Sequence, residues 1–455
     1  MRAFARQMTE RMKAVAAAGA VAAFWLAVWV LVAGLVAQPL ILPGPGAVVV
    51  SLLRLACDGG TWAILVGSGA RILGGLALAA VCGGVLAGAS VRSRTFARLV
   101  APALSFVKAT PVACVVVLLL IWLGSARVSI AAVFLMALPG VYFSLVEGLA
   151  QVDKPLEQML RLHGVRGWRL FCAHTWREVL PFVLSCAKAV IGMSWKAGVA
   201  AELIGMATGT VGERIYQAKL LIETADLLAW TVLVVTASWA CERVLVWLLR
   251  VSGPVAWGAA VRAHGHGLHG RAGAADVAEL ALAVGDRAPW APALDGLVLS
   301  VPAGGRICVM GASGVGKSTL LALAAGECAP CSMVFQDVRL VEDASALDNV
   351  LVCADARVSA SSAAALLRRL VPGIDVHARV AELSGGQRRR VEIARALLCG
   401  GCAVILDEPF TGLDTFARDA TAEVMLDLLN GRMLLLATHD VADAQALNIS
   451  DIITL

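Results

Sequence analysis

The sequence predicts two fold classes on one chain: an α-helical membrane domain of about six transmembrane helices, then an α/β phosphate-loop domain with a shortened β segment. Three observations carry this. Hydrophobic residues make up 59% of the 455 residues and charged residues only 16%, against about 25% charged in an ordinary soluble domain. The long charge-free runs are confined to residues 1–250. The stretch "GASGVGKST", Gly311–Thr319, lies in the other half, which has the composition of a soluble α/β domain. The expected boundaries are a membrane domain at 1–250, a linker at 251–276 and a nucleotide-binding domain at 277–455.

Each membrane element follows from the need for about 20 apolar residues per crossing. Ala14–Ala37 and Ile72–Val91 carry no charge. Leu99–Ala126 is apolar apart from Lys108 and is interrupted by Pro111. Val128–Val146 is again free of charge. Val179–Gly205 carries Lys188, Lys196 and Glu202, and Leu227–Leu249 carries Glu242 and Arg243. The first run is too long for a signal-peptide core of about 7–15 residues.

Basic residues set the orientation. With the N-terminus inside, the cytosolic segments hold Arg2, Arg6, Arg11, Lys13, Arg92, Arg94, Arg98, Lys154, Arg161, Arg166, Arg169 and Arg177. The outer segments hold only Arg54, Arg71, Arg127, Arg214 and Lys219. This places the N-terminus and the soluble half in the cytosol. Charged groups within spans are costly and face a pore or a partner. Lys196 and Glu202 are too far apart along the chain to form a tight pair on one face. Two readings stay open for them: they line a path or its gate, or they pack against neighbouring helices and snorkel. The glycine-rich "GMATGTVGERI" that follows is an outer loop or gate.

Some function classes are excluded. The net charge of +5 comes from scattered basic residues, which gives no case for nucleic acid. The linker "VSGPVAWGAAVRAHGHGLHGRAGAAD" is rich in Gly and Ala, and no Cys or carboxylate cluster accompanies His264, His266 and His269. They read as a solvated tether and not as a metal site. Cys328-Ala-Pro-Cys331 and Cys399-Gly-Gly-Cys402 share metal-ligand spacing. A chain with 12 cysteines uses the residue freely as a small apolar side chain, and the pairs are read that way, ahead of redox sensing or metal binding.

In the soluble half, "RICVM" is a strand-like run before the glycine loop and "LLALAAG" a helix-like run after it. That context is what a G-x-x-x-x-G-K-[ST] motif needs. Gly311, Gly314 and Gly316 let backbone N–H groups approach phosphate oxygens, with Ser313 and Thr319 in the same loop. Lys317 reaches the β/γ-phosphates and Ser318 a Mg²⁺ ion.

The order of motifs resembles the ABC ATPases over nearly all of residues 277–455. It runs from the loop through Gln336 in "VFQ" and the signature Leu383-Ser384-Gly385-Gly386-Gln387. Asp407-Glu408 in "AVILDEPFTGLD", with Asp414 closing that run, and His439 in "LLLATHD" complete it. The resemblance implies ATP with Mg²⁺ held by Ser318, Gln336 and Asp407. Glu408 polarises the attacking water as general base, His439 contacts the γ-phosphate and Gln336 senses it. It also places Ser384, Gly385, Gly386, Gln387 and Asp414 at nucleotide, with Ser384 and Gly386 completing the site of a second copy.

Three departures stand out. Val284 occupies the register of an adenine-stacking aromatic, and Trp290 is the substitute on offer. The antiparallel segment between loop helix and Gln336 is largely missing, with "ECAPC" as a tight connection. These two lie on the adenine side and predict Mg-ATP hydrolysis with weaker base discrimination. The third is that "DIITL" follows the last expected strand, so no regulatory domain is expected beyond it.

The membrane half carries a second resemblance. Gln151–Leu180 contains "LRLHGVRGWRLFCAHTWREVLP", similar to the coupling loop of bacterial ABC importer permeases, with Gly164 at its glycine and Leu180-Pro181 at its later Leu-Pro. Gln158 stands where a Glu is usual and Arg177 where a Pro is common. "LPGPGAVVVSLL", "KATPVACVVVLLLIWLG" and "SWKAGVAAELIG" narrow the likeness to the nitrate/sulfonate/taurine importers over most of residues 40–250. The resemblance implies a homodimer in the bacterial cytoplasmic membrane, surrounded by lipid. It also implies an extracytoplasmic solute-binding protein that delivers a small solute. The family's substrates are sulfonates, taurine, nitrate or pyrimidine vitamin precursors. An exporter half-transporter and an ATP-driven signalling or mechanical complex are the alternatives.

Overall fold

The computed structural model describes residues 2–263, 279–284, 291, 294–328, 331–429 and 431–455, with the backbone alone for 2–12, 14, 15 and 18. The chain divides into two compact units, residues 1–151 with 179–251, and residues 152–178 with 252–455.

The first unit is helical throughout. Its elements are α1 (Arg2–Val36), α2 (Pro45–Cys57), α3 (Gly59–Arg92), α4 (Arg94–Ala109), α5 (Val112–Leu123) and α6 (Ser125–Ala150). Next come α7 (Lys154–Leu162) and α8 (Gly167–Leu170), which belong to the second unit, and then α9 (Trp176–Gly205), α10 (Val211–Leu220) and α11 (Thr224–Arg262), whose residues from 252 on belong to the second unit again. Five helical stretches are long and apolar enough to cross a membrane, which makes this a multi-pass membrane protein. The expected third span is not one helix. It is the pair α4 and α5, bent by 103°. Pro111 lacks an N–H and forces Thr110 into an extended conformation (φ −77°, ψ 128°), which ends α4. Counted as one span, the pair brings the total to six. The expected second span also begins earlier, at Gly59, where the Asp58 side chain accepts from the amides of Gly60 and Thr61 and caps α3.

Lipid chains are as apolar as leucine, so membrane helices associate through close packing of small residues. On α3, Gly75, Ala79, Gly83 and Ala87 recur every fourth position and are all buried. A Cβ on Gly75 would lie 2.5 Å from the Ile130 carbonyl oxygen of α6, and one on Gly83 would lie 2.8 Å from Val141. The stripe is what lets α3 and α6 meet backbone to backbone.

Lys196 and Glu202 occupy opposite faces of α9: Lys196 is exposed and Glu202 is fully buried. The Glu202 carboxylate accepts from Ser68 Oγ at 2.8 Å, Arg71 Nε at 3.3 Å and the Gly212 amide at 3.4 Å. Ser68 in turn accepts from the Val211 amide at 3.1 Å. A buried carboxylate is tolerated only with such a full set of partners. The set fastens the start of α10, and with it the "GMATGTVGERI" turn, to α3 and α9.

The second unit is built on a five-stranded parallel sheet of order β4-β5-β6-β3-β7. Its strands are β3 (Arg306–Met310), β4 (Ser332–Val334), β5 (Ala403–Asp407), β6 (Met433–Thr438) and β7 (Asp451–Thr454). A separate antiparallel pair, β1 (Glu279–Ala283) and β2 (Val298–Pro302), is the only other sheet among the described residues. Helices α12 (Lys317–Glu327), α13 (Ala346–Leu351), α14 (Ala360–Leu370), α15 (Gly385–Leu398), α16 (Thr415–Leu428) and α17 (Val441–Ala446) accompany the sheet. Every residue of β4, β5 and β6 is buried, which is why these strands read as unbroken apolar runs.

Residues 328–331 alone join α12 to β4, so the antiparallel insert expected there is reduced to a link. Helix α11 runs on through Arg262, so residues 251–262 of the expected linker are helical. Residues 264–276 of that linker, with His264, His266 and His269, lie outside the described residues.

The small-residue stripe gives a paired test. Gly75→Val should lower the melting temperature of the detergent-solubilised protein, at a cost of about 1–3 kcal/mol for overpacking. Gly74→Val, one position earlier and with nothing within 4 Å, should leave it unchanged.

Candidate functional site

Strand order alone gathers most of the predicted groups. In a parallel α/β sheet, ligands bind beyond the carboxyl ends of the strands. Here β3 ends at the glycine loop, β5 at Asp407-Glu408, β6 at His439 and β4 just before Gln336. The register brings Met310 beside Thr438 and Asp407 beside Ala437.

The loop is shaped for phosphate. Gly314 and Gly316 have φ of +83° and +114°, a region closed to most side chains. Gly316 is the N-cap of α12 and no side chain caps the helix, so its first amides keep their capacity to donate to an anion. The Lys317 ammonium donates to the carbonyls of Gly311 at 2.6 Å and Ala312 at 3.0 Å, folded into the loop that presents it. Ser318 lies beside Asp407, whose carboxyl burial holds above the usual carboxylate range. A hydroxyl and a carboxylate so paired, beside uncapped helix amides, fit a Mg²⁺–phosphate group.

Glu408 follows the strand with φ +47°, a left-handed conformation that is strained for a side chain of this size. Its amide still donates to the Ala437 carbonyl at 2.9 Å. The turn leaves its carboxylate 3.2 Å from His439 Nδ1 and 3.4 Å from Thr411 Oγ1. The resemblance to the ABC ATPases implied Glu408 and His439 in one site; Thr411 as a third member is new.

The signature stands apart from this cluster. Ser384 caps α15, accepting from the Gln387 amide while Gln387 Oε1 accepts from the Ser384 amide. This reciprocal box fixes the helix start and leaves Ser384 and Gly385 exposed. Gly386 lies against the turn before Asp414, where a Cβ would come within 3.2 Å of Leu413. Asp414 itself caps α16 through the Ala417 amide at 2.7 Å. Gln336 is exposed. Val284, in the register of the adenine-stacking residue, is buried in the core with Leu282 and Leu294 and presents no face to a base. Trp290 lies outside the described residues.

Arg389 escaped the sequence reading. Its guanidinium, almost wholly buried, donates to the carbonyls of Pro409 at 3.1 Å, Asp407 at 3.1 Å and Glu408 at 2.7 Å. It also donates to the Phe335 carbonyl, the residue before Gln336. Glu392 balances the charge at 2.9 Å and is shared with Arg395 at 3.3 Å. The signal was there: Arg389 falls on the helical face of α15 with Ile393 and Ala396, where an apolar residue is expected.

The Gln151–Leu180 segment supplies the second unnoticed feature. The carbonyl of Leu162 accepts from the Cys331 amide at 3.1 Å, and His163 Nε2 accepts from the Met333 amide at 3.4 Å. These two amides lie on the open edge of β4, so the end of α7 covers that edge. His163 Nδ1 donates to the Met159 carbonyl at 2.8 Å, which fixes the tautomer. Burial, reinforced by the Arg395 charge, pushes its pKa down to about 3. Further along, Arg169 donates to the Val352 and Ala260 carbonyls, the latter at 3.2 Å. Arg177 pairs with Asp343 at 3.9 Å and lies over the Trp257 ring.

Cys328, Cys331, Cys399 and Cys402 are all buried at the amino ends of β4 and β5. As donor to the Cys402 sulfur, the Cys328 thiol is held above its ordinary range, and burial pushes Cys331 and Cys399 up to about 12. Among the described residues, no group of three or more His, Cys, Asp or Glu side chains is arranged to hold a metal ion.

The fold and site define a membrane permease fused to a P-loop ATPase domain of the ABC type. Comparison with known proteins gives the same two parts. Residues 80–254 match the family described as "Binding-protein-dependent transport system inner membrane component", and residues 294–411 match "ABC transporter". The taurine import ATP-binding protein of Chromobacterium violaceum is 37% identical over 178 residues, 34% of this chain and 68% of that protein. An aliphatic sulfonates import ATP-binding protein of Paracoccus denitrificans is 34% identical over 182 residues, 37% of this chain and 74% of its own. Its counterpart in Rhizobium johnstonii is 36% identical over 175 residues, 33% of this chain and 64% of its own. The chain therefore spans about two thirds of the length of these relatives. It belongs to the ABC transporter family.

Two measurements check the unnoticed residues. Arg389→Ala should destabilise the protein by about 3–5 kcal/mol, because Glu392 loses a buried partner. It should also abolish ATP hydrolysis, and Arg389→Lys should not rescue it, since an ammonium cannot serve carbonyls spread over a fork. For His163 the folded pKa lies below the unfolded one. The unfolded chain therefore binds more protons between the two values, and stability falls as pH drops from about 6.5 towards about 3. Thermal unfolding of wild type and His163→Gln across this range should show a shallower acid loss in the variant.

Proposed function

We propose that this chain is one half of an ATP-driven importer in the bacterial cytoplasmic membrane, working as a pair of identical copies. A solute-binding protein on the outer side delivers a small organic or inorganic anion such as a sulfonate, taurine or nitrate. The observation that carries this reading is the joining of a binding-protein-dependent permease segment, residues 80–254, and an ABC ATPase segment, residues 294–411, on one polypeptide. The relatives, taurine and aliphatic sulfonate import ATP-binding proteins, support the direction and the substrate class. The N-terminus and the ATPase domain face the cytosol, and the bent α4–α5 pair makes up the even number of crossings this requires.

The residues divide the work. The amides of Gly314, Gly316 and the first turn of α12 hold the phosphates, and Lys317 leaves its loop carbonyls to join the β/γ oxygens. Ser318, Asp407 and Gln336 hold Mg²⁺, whose charge neutralises the transferring phosphoryl group. Glu408 orients the attacking water and takes its proton. His439, paired with Glu408, contacts the γ-phosphate. The exposed Ser384 and Gly385 at the start of α15, with Gly386, Gln387 and Asp414, serve the nucleotide bound by the other copy. ATP thereby joins the two ATPase domains, and hydrolysis parts them. Closure moves β4, Gln336 and the α13 region together, and the docked end of α7 follows through Leu162, His163 and Arg169.

Glu408→Gln should lower Mg-ATP turnover by about 10²-fold or more, as expected for loss of a general base, while ATP still holds the protein as a dimer in gel filtration. Unchanged turnover would overturn the assignment of the base.

A further inference from the structure

Helix α9 is two-sided along its length. Val190, Ile191, Ser194, Trp195, Ala197, Gly198, Ala201 and Glu202 form its buried side. Its open side carries Ser185, Lys188, Ala189, Met193 and Lys196, all exposed. At 100° per residue these five fall within one half of the helix surface. Lys188 and Lys196 have no ion-pair or hydrogen-bond partner among the described residues, whereas Glu202 on the other side is fully engaged.

Neither lipid nor flush packing accounts for this side. Only about 20 residues of α9 lie in hydrocarbon, and no window of that length puts both lysines within one turn of an edge. One of them always sits too deep for its side chain to snorkel comfortably into the interface. If the side met its own counterpart in a second copy directly, lysines of like charge would be desolvated against each other without a counter-ion. Water and an anion between the two copies remove both difficulties. Among residues 182–204 the open side carries no carboxylate that would neutralise the pair internally.

We propose that the open side of α9 lines the aqueous path between two copies of the chain, and that Lys188 and Lys196 are successive sites for a small, singly charged oxyanion of the sulfonate kind. The inference rests on the importer reading and adds residues and a charge to it. The path is incomplete in one copy, since the facing α9 supplies the opposite wall. Successive weak sites suit passage, because an ion held by one strong site would not leave it.

The test is cysteine accessibility in the full chain reconstituted in lipid nanodiscs, with the exposed Cys57 and Cys114 changed to Ser. Lys196→Cys and, separately, Lys188→Cys are treated with an anionic methanethiosulfonate (the ethylsulfonate) and a cationic one (the ethyltrimethylammonium). Both reagents are confined to water. Elution as a single peak shows that each variant is folded.

Lys196→Cys should be modified, with the anionic reagent favoured by about 3-fold or more at low ionic strength, as one nearby unscreened charge would produce. Adding Lys188→Gln should remove that preference, and free ethanesulfonate should slow the reaction. Inert cysteines at both positions would overturn the proposal, as would a preference that survives loss of Lys188. Failure of the importer reading is seen separately, as modification of this kind without uptake of ethanesulfonate into proteoliposomes in the presence of a binding protein.

Discussion

One buried guanidinium organises the catalytic half. Arg389 binds the carbonyls of three consecutive residues, Asp407 to Pro409, and that of Phe335. These groups come from the end of β5 and the end of β4, and Arg389 itself comes from α15. Without it, the left-handed Glu408 would keep only its own amide bond to Ala437 and the Thr411 amide at its carbonyl, and the carbonyls of Asp407, Pro409 and Phe335 would lose a charged donor. A fork of five donors is the side chain suited to such a task. The remaining charge is absorbed by Glu392, which also receives Arg395 and the Arg339 amide at 3.1 Å. The start of α15, the left-handed Glu408 and the strand before Gln336 are therefore all tied to one side chain.

A second constraint is the exposed edge of β4. An edge strand leaves amides that must find water or a partner. Here the connection from α12 has shrunk to residues 328–331, and the end of α7 supplies the missing acceptors through Leu162 and His163. The four cysteines of the two pairs pack around this junction as small apolar residues. In the membrane unit the corresponding constraint is close approach. The Gly75, Ala79, Gly83, Ala87 stripe seats α3 on α6, and Glu202 locks α10 against both α3 and α9.

The legible part of the site was the part written in contiguous residues. The glycine loop, Asp407-Glu408 and His439 each follow a short apolar run, and a parallel sheet carries such runs to one edge. The capping box of Ser384 and Gln387 is also local, three residues apart. What the sequence hid was long-range and paired with backbone. Arg389 binds carbonyls, which leave no mark on residue identity, and His163 meets Met333 across 170 positions. The Glu202–Arg71 pair spans 131 positions, so its partner could not be named, although the spacing of Lys196 and Glu202 did argue against a tight pair between them. The break at Pro111 was visible, but its 103° angle depends on tertiary packing. Helix α11 ran past its expected end because Gly and Ala, read as linker composition, are also compatible with helix when Trp257 has a surface to pack on.

The docking of α7 onto β4 takes place within a single polypeptide. Separate permease and ATPase chains must find each other, and their interface has to be strong enough to hold at cellular dilution. A covalent join replaces that requirement with a high effective concentration, of millimolar order for short flexible links. The contact itself comprises the Leu162–Cys331 backbone hydrogen bond, the one His163 accepts from Met333, the Arg169–Val352 bond, the Arg177–Asp343 pair and a buried cluster in which Leu156, Met159 and Leu160 pack with Val341 and Val352. The fusion also fixes the ratio of permease to ATPase at one to one and keeps each α7 with its own β4 edge.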